Sequence, residues 1–124
     1  MTRWLGRFSN AAYVLLRIVS GLMFAMHGAQ KLFGVLGGQA VSPLSLRGAA
    51  GGIELVAGLL IAFGIYTSWA AFIASGEMAV AYFRSHAPQG FSPLENRGEL
   101  AVLYCFIFLY IACRGGVRWR LTRE

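Results

Sequence analysis

Four stretches of this chain are apolar enough to lie in a bilayer, and each carries very few charges. With a window of about 19 residues, the candidate spans are 11–33, 49–66, 68–85 and 99–113. The third apolar run proper ends at Phe83 and extends into its flank, because a shorter helix would not cross ~30 Å of hydrocarbon. Hydrophobic residues make up 57% of the 124 residues and charged residues only 13%, where a soluble domain carries about 25% charged. The expected fold is therefore all-α, an integral membrane four-helix antiparallel bundle forming one domain over 1–124. Arg3 and Arg7 ahead of an apolar run imitate a secretory signal. Arg17 interrupts that run and no small-x-small cleavage site follows, so the first helix is expected to be retained.

The net charge of +6 does not point to nucleic acid, because no basic stripe interleaved with aromatics is present. Basic residues gathered at helix ends are instead the signature of membrane topology. Arg3, Arg7, Arg114, Arg118, Arg120 and Arg123 flank the termini, against Lys31, Arg47, Arg84 and Arg97 beside the first and third connections. Six against four predicts both termini on the cytoplasmic side. The connection near Tyr66, Thr67 and Ser68 is short and uncharged, so spans two and three should form an antiparallel hairpin. Gly48 with Gly52, Gly58 with Ala62, and Ala70, Ala74, Gly76 and Ala81 give two small-residue surfaces suited to close helix packing.

Against this apolar background the polar residues inside the spans stand out, because ionisable groups are costly in hydrocarbon and default to functional candidates. The chain has five carboxylates in all, and Glu54, Glu77 and Glu99 fall in or at the ends of spans. His27, Gln30 and Lys31 are spaced three and four apart, along one face of the end of the first helix. Because successive spans alternate in direction, Glu54 near the start of the second lies at a similar depth to His27. Glu77 lies beyond the middle of the third toward the same side, Glu99 opens the fourth beside Asn96, and His86 follows the third. All of them map to one half of the bundle. In low dielectric such carboxylates must be protonated, hydrogen-bonded or paired, and Lys31 or a protonated His27 is the expected partner for Glu54 or Glu77.

Structural readings stand beside these. Glu99 in a first helical turn is favourable through the helix dipole alone, Lys31 near a helix end can snorkel, and His86 in a Pro/Gly loop reads by itself as a solvated residue. Arg17 in mid-span must find a partner, either Glu77 or a group at the cytoplasmic end. Cys105 and Cys113 are about 12 Å apart along one helix axis at ~1.5 Å per residue, too far to bridge. Without a Cys-x-x-Cys they read as packing residues. A metal on His27, Glu54 and Glu77 has suitable donor types, but no Glu-x-x-His pair supports it and no metal is expected. Neither a haem nor a flavin motif is evident.

The order and spacing of these residues resemble the DoxX family of small bacterial membrane proteins. The resemblance runs through His27-Gly28-Ala29-Gln30-Lys31-Leu32-Phe33-Gly34, Gly52-Ile53-Glu54-Leu55-Val56-Ala57-Gly58 and Glu77-Met78-Ala79-Val80-Ala81-Tyr82-Phe83. It continues through His86-Ala87-Pro88-Gln89-Gly90-Phe91 and Asn96-Arg97-Gly98-Glu99. It implies a four-helix, multi-pass protein of the bacterial inner membrane and a quinone-linked oxidoreductase subunit, with relatives linked to thiosulfate oxidation or oxidative-stress complexes. The family's polar positions fall on His27, Gln30, Lys31, Glu54, Glu77, His86, Asn96 and Glu99, which promotes His86. Arg97 departs from the Gly usual between Asn and Gly, and the tail from Arg114 is more basic than usual.

The resulting expectation is a redox-associated protein with a quinone pocket near the outer side. His27, Lys31, Glu54 and Glu77 would carry the chemistry, and His27, Gln30, Lys31, His86, Asn96 and Glu99 would bind the ligand. The expected surroundings are the lipid bilayer, a partner redox protein or subunit supplying electrons, and a homo-oligomer as a further option. The alternative readings are a non-catalytic membrane scaffold or assembly factor, and a small-solute or metal-handling membrane protein.

Overall fold

The computed structural model describes residues 2–122; Arg123, counted in the terminal charge bias, lies outside them. All regular structure among the described residues is helical: α1 (Thr2–Gly6), α2 (Ser9–Phe33), α3 (Leu46–Phe63), α4 (Thr67–Ala81) and α5 (Glu99–Arg114). Beyond α4 the chain continues through a π-helical turn, Tyr82–His86, and a 3-10 turn, Ala87–Gln89. By length and composition, α2 and α3 are able to cross a membrane. At 15 and 16 residues, α4 and α5 are shorter.

Both ends of α3 lie three residues before the expected span, each for a local reason. α3 begins at Leu46 rather than residue 49 because the Ser45 hydroxyl caps it, accepting from the Gly48 amide at 3.0 Å. It stops at Phe63 rather than 66 because Gly64 takes φ 71 and closes a Schellman turn. The Gly64 amide donates to Ile61 at 3.2 Å and the Ile65 amide to Leu60 at 2.8 Å. The connection between α3 and α4 is thus residues 64–66, ending on Tyr66 at φ 46.

α2 and α3 pack backbone to backbone, and glycine makes this possible. A methyl on Gly21 would come within 2.7 Å of the Ala62 amide nitrogen, and one on Gly28 would collide with the Leu55 nitrogen and the Gly51 oxygen. Gly58 meets Gly21 and Ala25 in the same way. The small face of α3 is therefore Gly51, Gly58 and Ala62. It is not Gly48 with Gly52: Gly48 abuts Ser42 and Pro43 in the preceding loop, and Gly52 has open space beside it. α4 and α5 form the second closely packed pair, with Ala70, Ala71 and Ala74 buried and the Ser75 hydroxyl donating to the Cys105 carbonyl at 2.7 Å. Contact between the pairs, α3 with α4 and α2 with α5, is much sparser. Phe24, Tyr104 and Phe108 bridge α2 and α5, with ring centroids 4.7–5.4 Å apart. Both cysteine thiols are free.

Arg17 resolves at the terminal end of the molecule, away from Glu77. Its guanidinium is fully buried and donates to the carbonyls of Gly116, Arg118, Trp119 and Ala62. The segment after α5 is thereby folded back over the bundle. Farther along it, the Leu121 and Thr122 amides donate to Gly64, and the Thr122 hydroxyl accepts from the Tyr66 amide at 2.7 Å. A non-helical tail can stay close to the helices only if its carbonyls find donors, and Arg17 supplies them.

Candidate functional site

The close α2–α3 approach has a direct chemical consequence. Lys31 lies about one turn beyond Gly28 on α2, and Glu54 about one turn beyond Gly51 on α3, so the crossing sets the two side chains against each other. Lys31 Nζ meets Glu54 Oε2 at 2.5 Å. Glu54 is only 1% exposed, whereas Lys31 keeps 24% of its surface. The ammonium thus sits between the buried carboxylate and the outside, as a long-stemmed cation near a helix end can. Gly28→Ala is expected to force the helices apart, destabilise the protein by about 1–3 kcal/mol and open this ion pair. Thermal unfolding in detergent measures the first effect. A shifted carboxylate infrared band for Glu54 reports the second.

Glu77 of α4 lines the same cavity as Glu54. Among the described residues, Glu54 Oε1, Glu77 Oε1 and the Tyr104 hydroxyl are buried without a hydrogen-bond partner. Buried polar atoms are normally satisfied, so three orphans around one space mark a place built for something else. His27 stands beside them, its ring edge-on to Tyr104 with centroids 5.9 Å apart.

All of these groups line one cleft of about 840 Å³ along the seam between α3 and α4, within the size range of small-molecule sites. Its inner side is formed by Phe24, His27 and Lys31 of α2 and by Leu100, Ala101 and Tyr104 of α5. Ile53, Ile73 and Val80 flank the seam and are exposed on its outer side. Gly76 lines the cleft with open space beside it, so its role is to leave room and not to pack a helix.

The structure brings His27, Lys31, Glu54, Glu77 and His86 to this cleft. Gln30, Asn96 and Glu99 are not in its lining. Gln30 turns to the following loop, donating to the Leu36 carbonyl at 2.8 Å. Asn96 is completely buried, but its amide serves the turn before α5: it donates to the Tyr82 hydroxyl and the Gly90 carbonyl, and it accepts from the Gly98 amide. Glu99 is exposed in the first turn of α5, where the helix dipole favours it. His86 is oriented by the same turn, with Nδ1 3.1 Å from the Asn96 carbonyl oxygen.

Residues outside the candidate set read from the sequence complete the site. Tyr104 is one, a buried phenol whose hydroxyl is orphaned. The others are Arg47 from the first turn of α3, Arg84 from the π-helical turn and Arg97 from the turn before α5, all in the lining. Arg97 has a left-handed backbone at φ 61, a conformation costing a non-glycine residue about 1–2 kcal/mol. The available signal was that every basic residue of the two long connections falls at the same end as the buried acids.

An all-helical protein with a buried acid pair, a lysine and a phenol converging on an apolar-walled cleft is a membrane protein of defined internal chemistry. The chain belongs to the DoxX family of membrane proteins, whose family model, DoxX, matches residues 12–87. An uncharacterized protein of Haemophilus influenzae (strain Rd) is 43% identical over 107 residues, covering 81% of this chain and 80% of its own length. No solved structure matches. The matched family region holds α2 through the π-helical turn, and with them His27, Lys31, Glu54, Glu77 and His86.

Proposed function

We propose that this is a four-span inner-membrane protein whose cleft binds a quinone, acting as the quinone-interacting subunit of an oxidoreductase. All four long helices present apolar side chains outward: Leu15 and Met26 on α2, Val56 and Phe63 on α3, Phe72 at 61% exposure on α4, and Phe106 at 64% on α5. So large an apolar surface calls for lipid. α4 and its π-helical turn together extend about 30 Å at ~1.5 Å per residue, the thickness of the hydrocarbon core. The termini share one end with Arg3, Arg7, Arg114, Arg118 and Arg120, which supports a cytoplasmic location for that end.

The observation that carries the ligand assignment is the set of three orphaned atoms, Glu54 Oε1, Glu77 Oε1 and the Tyr104 hydroxyl. A quinone supplies carbonyl oxygens that become hydroxyls on reduction by two electrons and two protons. Tyr104 is suited to donate to a carbonyl, and the two carboxyls to accept from a hydroxyl or to deliver a proton to it. Lys31 holds the charge of Glu54 in place, and His27 adds a second group able to give or take a proton. The electrons come from a partner redox protein, and the lateral seam between α3 and α4 admits a ligand whose tail stays in lipid.

The test is extraction of the protein purified in mild detergent, followed by chromatographic identification of what leaves it. A quinone is expected in the extract. His27→Ala and Glu77→Gln are expected to lower its retention and quinone-dependent turnover by at least ~10²-fold, the lower range for a positioned acid or base. An empty extract, with no rise in melting temperature on adding a short-chain quinone, would refute the assignment.

A further inference from the structure

We infer that the rim of the cleft, Arg47, Arg84 and Arg97, binds the anionic headgroup of a membrane lipid. Arg47, Arg84 and Arg97 come from three separate segments, line the same cleft and are exposed, as groups at its outer edge are. Among the described residues, no hydrogen bond or ion pair joins any of the three to a protein acceptor. Glu95 and Glu99, beside Arg97 in sequence, are exposed and take no part in the lining; Glu54 and Glu77, nearest in sequence to Arg47 and Arg84, do line the cleft but are more buried, and Glu54 is held by Lys31. Like charges around an apolar-walled concavity reinforce one another's field, so the mouth attracts an anion. Guanidinium forks are shaped for phosphate oxygens.

Arg97 strengthens the inference. Its backbone holds a left-handed conformation, φ 61, which suits glycine and strains arginine. A strained residue whose side chain lines a cavity calls for a functional explanation, and here the side chain delivers charge to the rim. Below the rim the walls are apolar, with Ile53, Ile73 and Val80 along the outer seam. A free phosphate ion gains nothing from such walls. A lipid places its headgroup on the arginines and an acyl chain along the seam.

The inference rests on the cleft being a ligand site, as proposed above, but not on a quinone being the molecule at its base. The experiment uses the full chain in nanodiscs of phosphatidylcholine, with and without phosphatidylglycerol. Native mass spectrometry and thermal melting are the readouts. Phosphatidylglycerol is expected to remain bound and to raise the melting temperature. Arg97→Gly, which relieves the backbone strain and therefore folds, is expected to lose roughly fivefold of the preference for phosphatidylglycerol, the contribution of one basic side chain near an anionic surface. Arg84→Gln serves as the second variant and is expected to do the same. Preference unchanged in both variants would overturn the inference, as would inorganic phosphate in phosphatidylcholine discs reproducing the stabilisation. Loss of quinone from the extract with lipid preference intact would count against the quinone reading alone.

Discussion

Replacing Arg17 with methionine is expected to destabilise the protein by about 3–5 kcal/mol and to release the C-terminal segment. The side chain is fully buried and donates to four carbonyls, three of them in the stretch from Gly116 to Trp119. Methionine fills much of the volume but donates nothing, so these acceptors must either find water or leave the bundle. Arg17→Lys should recover only part of the loss, because an ammonium cannot reproduce the fork that serves Gly116 and Arg118 from one nitrogen and Trp119 from the other. Thermal unfolding in detergent gives the stability change. Limited trypsin digestion gives the second readout, with cleavage after Arg118 and Arg120 faster in Arg17→Met than in the parent. A variant that melts as the parent does and keeps its tail protected would show that Arg17 anchors nothing.

The second large effect concerns the ion pair. Lys31→Met removes the cation from a carboxylate that is 1% exposed and shares its cleft with a second carboxyl. An uncompensated buried charge costs about 3–5 kcal/mol, and the partial exposure of Lys31 places the expected loss toward the lower end. Lys31→Met combined with Glu54→Gln should be milder than Lys31→Met alone, because the charge that needed a partner is gone. The double-mutant cycle is expected to give a coupling of about 1–3 kcal/mol. Additive single effects would mean that the 2.5 Å contact contributes geometry without energy. On the proposed reading, the same variants weaken quinone retention, since Lys31 fixes a carboxylate that lines the cleft.

The convergence of His27, Lys31, Glu54, Glu77 and His86 was legible in the sequence because depth in a helical bundle follows from position and alternating direction. Facing is a different matter. Gln30 shares a helix face with His27 by spacing, yet it sits in the last turn, where the open carbonyl of Leu36 captures its amide. Asn96 and Glu99 lie at the right level but belong to a turn and to the exposed side of α5. The arginine rim depended on loop conformation, and the left-handed backbone at Arg97 runs against what its residue type suggests. The packing of α2 on α3 did leave a readable trace. Gly21 and Gly28 are seven apart, Gly51 and Gly58 are seven apart, and an antiparallel crossing pairs Gly21 with Gly58 and Gly28 with Gly51. The pairing was hidden because Gly48 and Gly52 offer a competing pattern on the same helix.

The uneven packing of the helices governs how this molecule can deform. α2 with α3 and α4 with α5 are each tightly joined, while the two pairs touch far less and are connected through the chain at residues 64–66. Displacing one pair against the other therefore sacrifices the fewest interactions, and it changes the width of the cleft lined by Ile53 of one pair and Ile73 and Val80 of the other. The pivot of that movement is the stretch to which Leu121 and Thr122 are hydrogen-bonded. Whatever grips or releases the tail at the end of the bundle that holds Arg17 thus acts on the joint between the two pairs, at a distance from the cleft.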